Sequence, residues 1–170
     1  MNDRYEAIRR LRASRNFTDE PISSEDLGAI LEAARWTGSS KNTQQWQFIV
    51  VDDPAAAERL ASAGRFTRAV RNAPVTIALV KLPDGYDFDI GRAAQNIMLA
   101  ADALGIGSCP ITLHDLDRAA EVLGLPPGHE SHYAVALGHV DTAAEDEERK
   151  QRRADGWGGR RGDVVTRLEV

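Results

Sequence analysis

The sequence predicts one domain in which helices alternate with buried β-strands. Three short apolar runs, 46–51, 75–80 and 133–139, have the length and the β-branched content of buried strands. Between them, apolar residues recur three and four positions apart, as in 27–34, which is typical of a helix with one buried face. The chain has 170 residues, a length that suits a single domain with a real core.

Composition excludes several classes of protein. The net charge is −5 and the pI is near 5.4, which argues against nucleic acid as a partner, because phosphate contact needs a basic face. Cys109 is the one cysteine, so neither an intrachain disulfide nor a cysteine metal cluster can form, and we predict no metal site. Its surroundings are more typical of a small buried residue than of a redox centre. The first residues lack an apolar signal region and no window approaches 18 apolar residues, so we expect no membrane contact and a cytoplasmic location.

The N-terminal stretch concentrates positive charge in an acidic protein. A short helix is predicted over 5–11, and four arginines fall within seven residues: Arg9, Arg10, Arg12 and Arg15. Such a run forms either a solvated helix face or a phosphate clamp, since guanidinium groups match phosphate oxygens two at a time.

A polar loop joins the second helix to the first strand. Ser23 followed by Asp26 predicts an N-cap, and the helix is expected to run to about Trp36. Hydroxyls and carboxamides then fill 39–45, directly before the strand that begins at Trp46. Polar groups between two rigid elements can be aimed at a ligand, although an ordinary helix-to-strand loop is the alternative.

The second half contains an unusually apolar helix and a charged segment. The pattern over 88–104 is apolar nearly all round, which predicts either the central helix of the domain or the core of a dimer. Gly105 suits the end of that helix. Segment 141–156 carries many charges and almost no apolar side chains, so we expect a surface excursion. Beyond it, Arg160 and Arg161 stand beside glycines, a composition that suits an anion.

Three blocks of the chain resemble the FMN-dependent nitroreductase family. Its signature loop, A-R-x-A-P-S-S-x-N-x-Q-P-W-x-F, is similar to residues 34–48, with Gly38 and Gln45 standing where proline is usual. Its N-terminal motif, R-R-S-x-R-x-F, aligns on Phe17, with Leu11 and Ala13 standing where Arg and Ser are usual. The third block covers the glycine-containing turn at 105–108 and a strand at 134–139.

The resemblance implies an α+β nitroreductase-like fold: a mixed or antiparallel sheet of four or five strands flanked by helices, in a single domain over 1–170. It also implies a homodimer with two flavins at the subunit interface, to which a C-terminal strand can cross. The implied activity is ping-pong transfer of hydride from NAD(P)H through FMN to an electron-poor acceptor of the nitroaromatic or quinone type. The flavin would carry the chemistry, and we name no catalytic side chain.

The residues that the resemblance places at the cofactor lie in five parts of the chain. They are Arg12, Ala13, Ser14, Arg15, Ser39, Ser40, Asn42, Gln44, Arg65, Pro110, Ile111, Arg160 and Arg161.

Two alternatives stay open. One is a specialised relative of the same fold that carries out flavin fragmentation, reductive dehalogenation or dehydrogenation. The other is a non-catalytic flavin or nucleotide binder, which Leu11 and Ala13 favour, because two expected phosphate contacts are missing.

Overall fold

The computed structural model describes residues 3–157, and within them helices cover both faces of one sheet. The elements in chain order are α1 (Asp3–Arg10), α2 (Ser24–Arg35), a 3₁₀ turn (Ser40–Asn42), β1 (Trp46–Val51), α3 (Pro54–Ala61), α4 (Arg68–Asn72), β2 (Val75–Lys81), α5 (Asp87–Ala103), β3 (Gly107–Thr112), α6 (Leu116–Leu123), β4 (Glu130–Gly138) and α7 (Thr142–Ala154). None of these helices has the length and apolar content to cross a membrane.

The sheet has the strand order β1-β2-β4-β3, and every neighbouring pair is antiparallel. The predicted α+β class and a sheet of four strands are therefore confirmed. In register, Trp46 at the start of β1 pairs with Lys81 at the end of β2, and Lys81 pairs with Glu130 at the start of β4. The C-terminal strand expected from the resemblance lies outside the described residues.

The two central strands divide the core into two layers. One layer packs α2 and α5 against the sheet through Ile30, Ile97, Ile77 and Leu137, which are all fully buried. The other layer packs α3, α4 and α6 against the opposite face, around Cys109 and its neighbours on β3 and β4. Burying both faces of β2 and β4 explains why their sequences read as continuous apolar runs.

Helix ends follow the sequence signals. The Ser23 hydroxyl accepts a hydrogen bond from the N–H of Asp26 at 3.0 Å, and Pro54 opens α3. Gly105 and Gly124 follow α5 and α6 with φ angles of 74° and 64°, the left-handed conformation that favours glycine.

Helix α5 is buried on one side rather than on every side. Ile90 and Ile97 face the core, but Phe88 is 75% exposed and Leu104 is 41% exposed. In one protomer the sheet and α2 cover only one side of the helix, and its place in the core of a dimer stays a prediction. Phe88, in the first turn of α5, therefore remains available to a further surface.

The charged segment 141–156 forms helix α7, whose side chains are mostly exposed. Glu145 is the exception, at 3% exposure. A buried carboxylate must be hydrogen bonded to be tolerated, so α7 is attached to the body of the domain through this group.

Trp46 is a core residue, as its position at the start of a buried strand predicts. It is 8% exposed and belongs to the layer formed by α2 and α5. We expect Trp46→Ala to lower the free energy of unfolding by roughly 3–5 kcal/mol through cavity formation. Trp36→Ala is the matched control, because Trp36 is 74% exposed and should cost less than about 1 kcal/mol. Denaturant unfolding of both variants checks this, and equal losses would contradict it.

Candidate functional site

The polar loop before β1 has strained backbone geometry. Lys41, Asn42 and Gln44 have φ angles of 52°, 54° and 52°. Side chains other than glycine rarely adopt this left-handed region, and each such residue costs on the order of 1 kcal/mol or more. Strain of this kind is typical of functional loops, where the surrounding structure imposes it.

Three hydrogen bonds hold the loop in place, two within the loop and one from α5. The Ser39 hydroxyl accepts from the Gln44 N–H at 3.0 Å, and the Gln44 side-chain amide donates to Asn42 Oδ1 at 3.0 Å. Arg92 on α5 donates to the carbonyl of Gly38 at 2.6 Å. Ser40, Asn42 and Gln44 remain exposed, so their polar atoms face away from the core.

The N-terminal segment after α1 lies along the edge of β3. The Ser14 N–H donates to the Ser108 carbonyl at 2.9 Å, and Ala13 forms a parallel bridge with Ser108. Phe17 packs over Gly107 and Gly138, where an added Cβ would lie within 3.3 Å and 2.9 Å of its atoms. These two positions need glycine because an added Cβ would also lie 2.3 Å from Val140 Cγ2 at Gly107 and 2.8 Å from Pro74 Cδ at Gly138.

Carboxylates of α7 fix this segment. Glu145 Oε2 accepts from the N–H groups of Arg15 at 2.7 Å and Asn16 at 3.1 Å. The Asn16 side chain also donates to Glu148 Oε2 at 2.7 Å, and Arg68 forms an ion pair with the same oxygen. Burial alone would raise the pKa of Glu148, but the hydrogen bonds from Asn16 and Arg68 and the nearby arginine charges together lower it.

Arg15 and β3 form a small pocket, which we call the β3 pocket. Its volume is about 190 Å³, and its lining residues are Arg15, Phe66, Cys109, Pro110, Ile111, Thr112 and His114. Among residues 3–157, the half-buried Arg15 guanidinium has no hydrogen-bond or ion-pair partner. Burial raises the pKa of the Cys109 thiol, against the opposing effect of the Arg15 charge, so this cysteine is a neutral wall of the pocket. The pocket is small and is lined by polar as well as apolar groups, and its unpaired cation fits a ligand that carries an anionic group.

Arg12 faces a different pocket from Arg15. In an extended segment, successive side chains point to opposite faces, and Arg12 and Ser14 line a cavity of about 280 Å³ together with Arg10 and Arg149. The Arg12 guanidinium donates to the carbonyls of Arg9 at 2.6 Å and Leu11 at 2.8 Å, so it satisfies the C-terminal end of α1. The two arginines that the resemblance assigns to one phosphate therefore have different surroundings.

Arg65 lines a cavity of about 600 Å³ next to the β3 pocket, and the two share His114 in their linings. The Arg65 N–H donates to His114 Nδ1 at 3.4 Å, and the neighbouring Phe66 is 82% exposed. Arg65, Arg15, Pro110 and Ile111 are thus brought to one part of the molecule. Arg160 and Arg161 lie outside the described residues.

The remaining cofactor residues lie at the opposite edge of the sheet. The loop carrying Ser39, Ser40, Asn42 and Gln44 leads into edge strand β1, whereas the β3 pocket lies on edge strand β3. Two strands separate them, so the width of the sheet places them about 14 Å apart or more. A larger cavity, of about 690 Å³, contains none of the predicted cofactor residues.

Comparison with known proteins identifies the family and the fold. The model of the Nitroreductase family matches residues 8–65 and 63–139. A protein of Archaeoglobus fulgidus, named as a candidate NADH dehydrogenase/NAD(P)H nitroreductase, is 33% identical over 150 residues, or 82% of this chain and 86% of that protein. The FMN reductase (NADPH) of Bacillus subtilis is 26% identical over 165 residues, or 82% of this chain and 66% of that protein. Among solved structures, an FMN-dependent nitroreductase from Clostridium difficile R20291 superposes with a TM-score of 0.75 at 28% identity, covering 79% of this chain and 86% of that one.

These matches identify a nitroreductase-type domain. In this chain it carries a strained polar loop at one sheet edge and a basic pocket at the other. The chain belongs to the nitroreductase family.

Sequence reasoning missed the roles of Glu145, Asn72 and His114. A signal for the first was present, because Glu145, Glu148, Arg149 and Arg152 recur at helical spacing and share one face of α7. Charge alone gave no reason to separate a buried carboxylate from its exposed neighbours.

Strain in the loop before β1 can be measured directly. Lys41→Gly removes a side chain from a left-handed position, so we expect it to raise the free energy of unfolding by roughly 0.5–1 kcal/mol. Thr43→Gly is the control, since Thr43 has a φ of −71° and glycine there should lower stability by a similar amount. Chemical denaturation of both variants distinguishes the outcomes, and destabilisation by Lys41→Gly would mean that the loop is unstrained.

Proposed function

We propose that this chain is an FMN-dependent NAD(P)H oxidoreductase that reduces electron-poor acceptors of the nitroaromatic or quinone type. The observation that carries the proposal is the β3 pocket, where the unpaired guanidinium of Arg15 lies beside Pro110 and Ile111 of β3. Membership of the nitroreductase family supports it, as do relatives named FMN reductase (NADPH) and NADPH-flavin oxidoreductase.

Bound FMN would accept a hydride and pass the electrons on, and the protein would supply binding and electrostatics. Arg15 would balance the charge of the phosphate, since an anion without a paired cation is costly to desolvate in an acidic protein. Pro110, Ile111 and Phe66 would contact the ring and exclude water from one of its faces. The exposed amides of Asn42 and Gln44 would hydrogen bond to polar atoms of the ring system.

Donor and acceptor would use the same face in turn, which gives the ping-pong order. The connection between β2 and α5 is a short turn, and Tyr86 at its end is 62% exposed. No insertion closes over the site at this point in the described chain. An open site of this kind suits acceptors of varied shape.

A homodimer would complete the site. In one protomer, the loop with Asn42 and the pocket with Arg15 lie on opposite edges of the sheet, too far apart to hydrogen bond to the same ring. A second copy would bring its own loop to the β3 pocket, and the exposed Phe88 of α5 would lie at the interface. This arrangement explains why both groups of residues resemble cofactor-binding motifs.

A non-catalytic flavin or nucleotide binder is the second candidate. Leu11 and Ala13 favour it, and so does the use of Arg12 in closing α1. The absorbance of the purified protein and its oxidation of NAD(P)H separate the two: bound flavin without turnover of any acceptor would support the binder. Activity confined to a single acceptor would instead favour a specialised relative of the family.

The composite site predicts complementation between defective subunits. We expect Asn42→Ala and Arg15→Ala each to weaken flavin binding at both sites of their own homodimers. A mixed dimer, purified through two different tags, should regain one intact site and therefore about half of the wild-type flavin content. Light scattering checks that each species is dimeric. A monomer at micromolar concentration, or a mixed dimer with no intact site, would contradict the arrangement.

Arg15 and Arg12 should differ in their effect on the phosphate. A charge-assisted arginine contact contributes about 1.5–3 kcal/mol, so Arg15→Ala should weaken FMN about 10- to 150-fold and riboflavin far less. Arg12→Ala should change the affinity for FMN less than Arg15→Ala does, because its guanidinium is bonded to the carbonyls of α1. Titration of apoprotein with both flavins measures this. Equal losses of FMN and riboflavin in Arg15→Ala would mean that Arg15 does not contact the phosphate.

A further inference from the structure

Glu145 is a buried charge whose hydrogen bonds converge on one short segment. It is 3% exposed, and its Oε2 accepts from the N–H groups of Arg15 and Asn16 and from the Asn16 side chain at 2.7, 3.1 and 3.2 Å. Its Oε1 accepts from Arg149 Nε at 3.2 Å. Backbone N–H groups bonded to a carboxylate make strong hydrogen bonds, and they resist rotation of the segment that carries them.

The backbone of Arg15 is held from its other side as well. Its carbonyl accepts from Asn72 Nδ2 at 3.4 Å, at the end of α4. Helices α7 and α4 therefore fix the peptide groups before and after Arg15. Its guanidinium, by contrast, has no partner within the described part of the chain and lines the β3 pocket.

We propose that Glu145 is a positioning residue for the anion site of Arg15. A long side chain loses conformational freedom when it binds a ligand, and fixing its backbone in advance reduces that loss. Glu145 supplies this preorganisation from a helix that contributes no side chain to the pocket. The inference rests on the proposed function, since it concerns the group of the flavin that Arg15 contacts.

Charge and position make opposite predictions for Glu145. As a negative charge near a bound phosphate, it would weaken FMN binding, and its removal would tighten binding. As a positioning residue, it strengthens binding, and its removal weakens it. Glu145→Gln keeps an oxygen that can accept from the Arg15 and Asn16 N–H groups but removes the charge, whereas Glu145→Ala removes both.

The experiment titrates apoprotein variants with FMN and with riboflavin, following quenching of flavin fluorescence. We expect Glu145→Ala to weaken FMN roughly 10-fold, the lower end for loss of one charge-assisted contact, and riboflavin less than about 3-fold. Glu145→Gln should retain most of the FMN affinity. Glu147→Ala is the matched control, because Glu147 lies on the same helix, is exposed and pairs with Lys150, and it should change neither affinity.

A double variant tests whether Glu145 acts through Arg15. If it does, Arg15→Ala combined with Glu145→Ala should bind FMN no more weakly than Arg15→Ala alone, to within about 2-fold, because coupled residues are not additive. The amide resonance of Arg15 supplies a readout without flavin: it should shift strongly in Glu145→Ala and little in Glu145→Gln.

Three results would overturn the proposal. They are losses of FMN affinity that add in the double variant, tighter FMN binding in Glu145→Ala, and equal losses of FMN and riboflavin affinity in Glu145→Ala. If Arg15→Ala binds FMN as tightly as the wild type, Arg15 does not contact the anion, and it is then the proposed function that fails. If Glu145→Ala does not fold, Asn72→Ala removes the weaker clamp on the same peptide. It should then shift the ratio of FMN to riboflavin affinity in the same direction, and an unchanged ratio would count against positioning.

Discussion

Burial of the β2–β4 pair on both faces is the constraint on which the rest of the molecule depends. Ile77 and Val135 face the layer of α2 and α5, while Ala134 and Ala136 face the layer of α3, α4 and α6. With the centre of the sheet covered on both sides, a ligand can reach the backbone only at the edge strands and at the strand ends. Both groups of predicted site residues lie there: the polar loop leads into β1, and the β3 pocket lies along β3.

The two edges are built in different ways. At β1, the loop is strained, with three left-handed residues fixed by hydrogen bonds to Ser39 and from Arg92. At β3, an extended segment is held by backbone pairing with Ser108 and by the carboxylate of Glu145. Each edge is rigid for its own reasons, and the two offer different groups: the loop offers exposed amides, and the pocket offers the unpaired guanidinium of Arg15. Their complementary chemistry is the physical argument for an assembly in which one copy contacts the other.

Much of the fold was predictable, because it depends on local signals. Three of the four strands were visible as short apolar runs, whereas β3 was not, and the helix ends at Ser23 and Gly105 follow from capping chemistry. The sequence left open whether α5 is central to one domain or to a dimer, since periodicity shows which side chains are apolar but not which neighbours cover them. The site residues were predicted from the resemblance rather than from their spacing along the chain. The resemblance therefore named these residues but did not show that they lie at two opposite edges of the sheet. The role of Glu145 depends on a contact across 130 positions, which no local pattern reports.

Leu11 and Ala13 reduce the number of side chains that can contact a phosphate. The resemblance places an arginine and a serine at these positions, and in this chain neither side chain can contact a phosphate by charge or hydroxyl. Arg12 does not replace them, because its guanidinium is bonded to the carbonyls at the end of α1. Within the described residues, recognition of an anion in the β3 pocket therefore falls to Arg15. Binding energy taken from a remote phosphate holds the cofactor, whereas the chemical step depends on contacts at the ring. A chain with a reduced phosphate site should thus hold FMN loosely and still present the ring correctly, provided that Arg15 and the β3 residues beside it are kept in place.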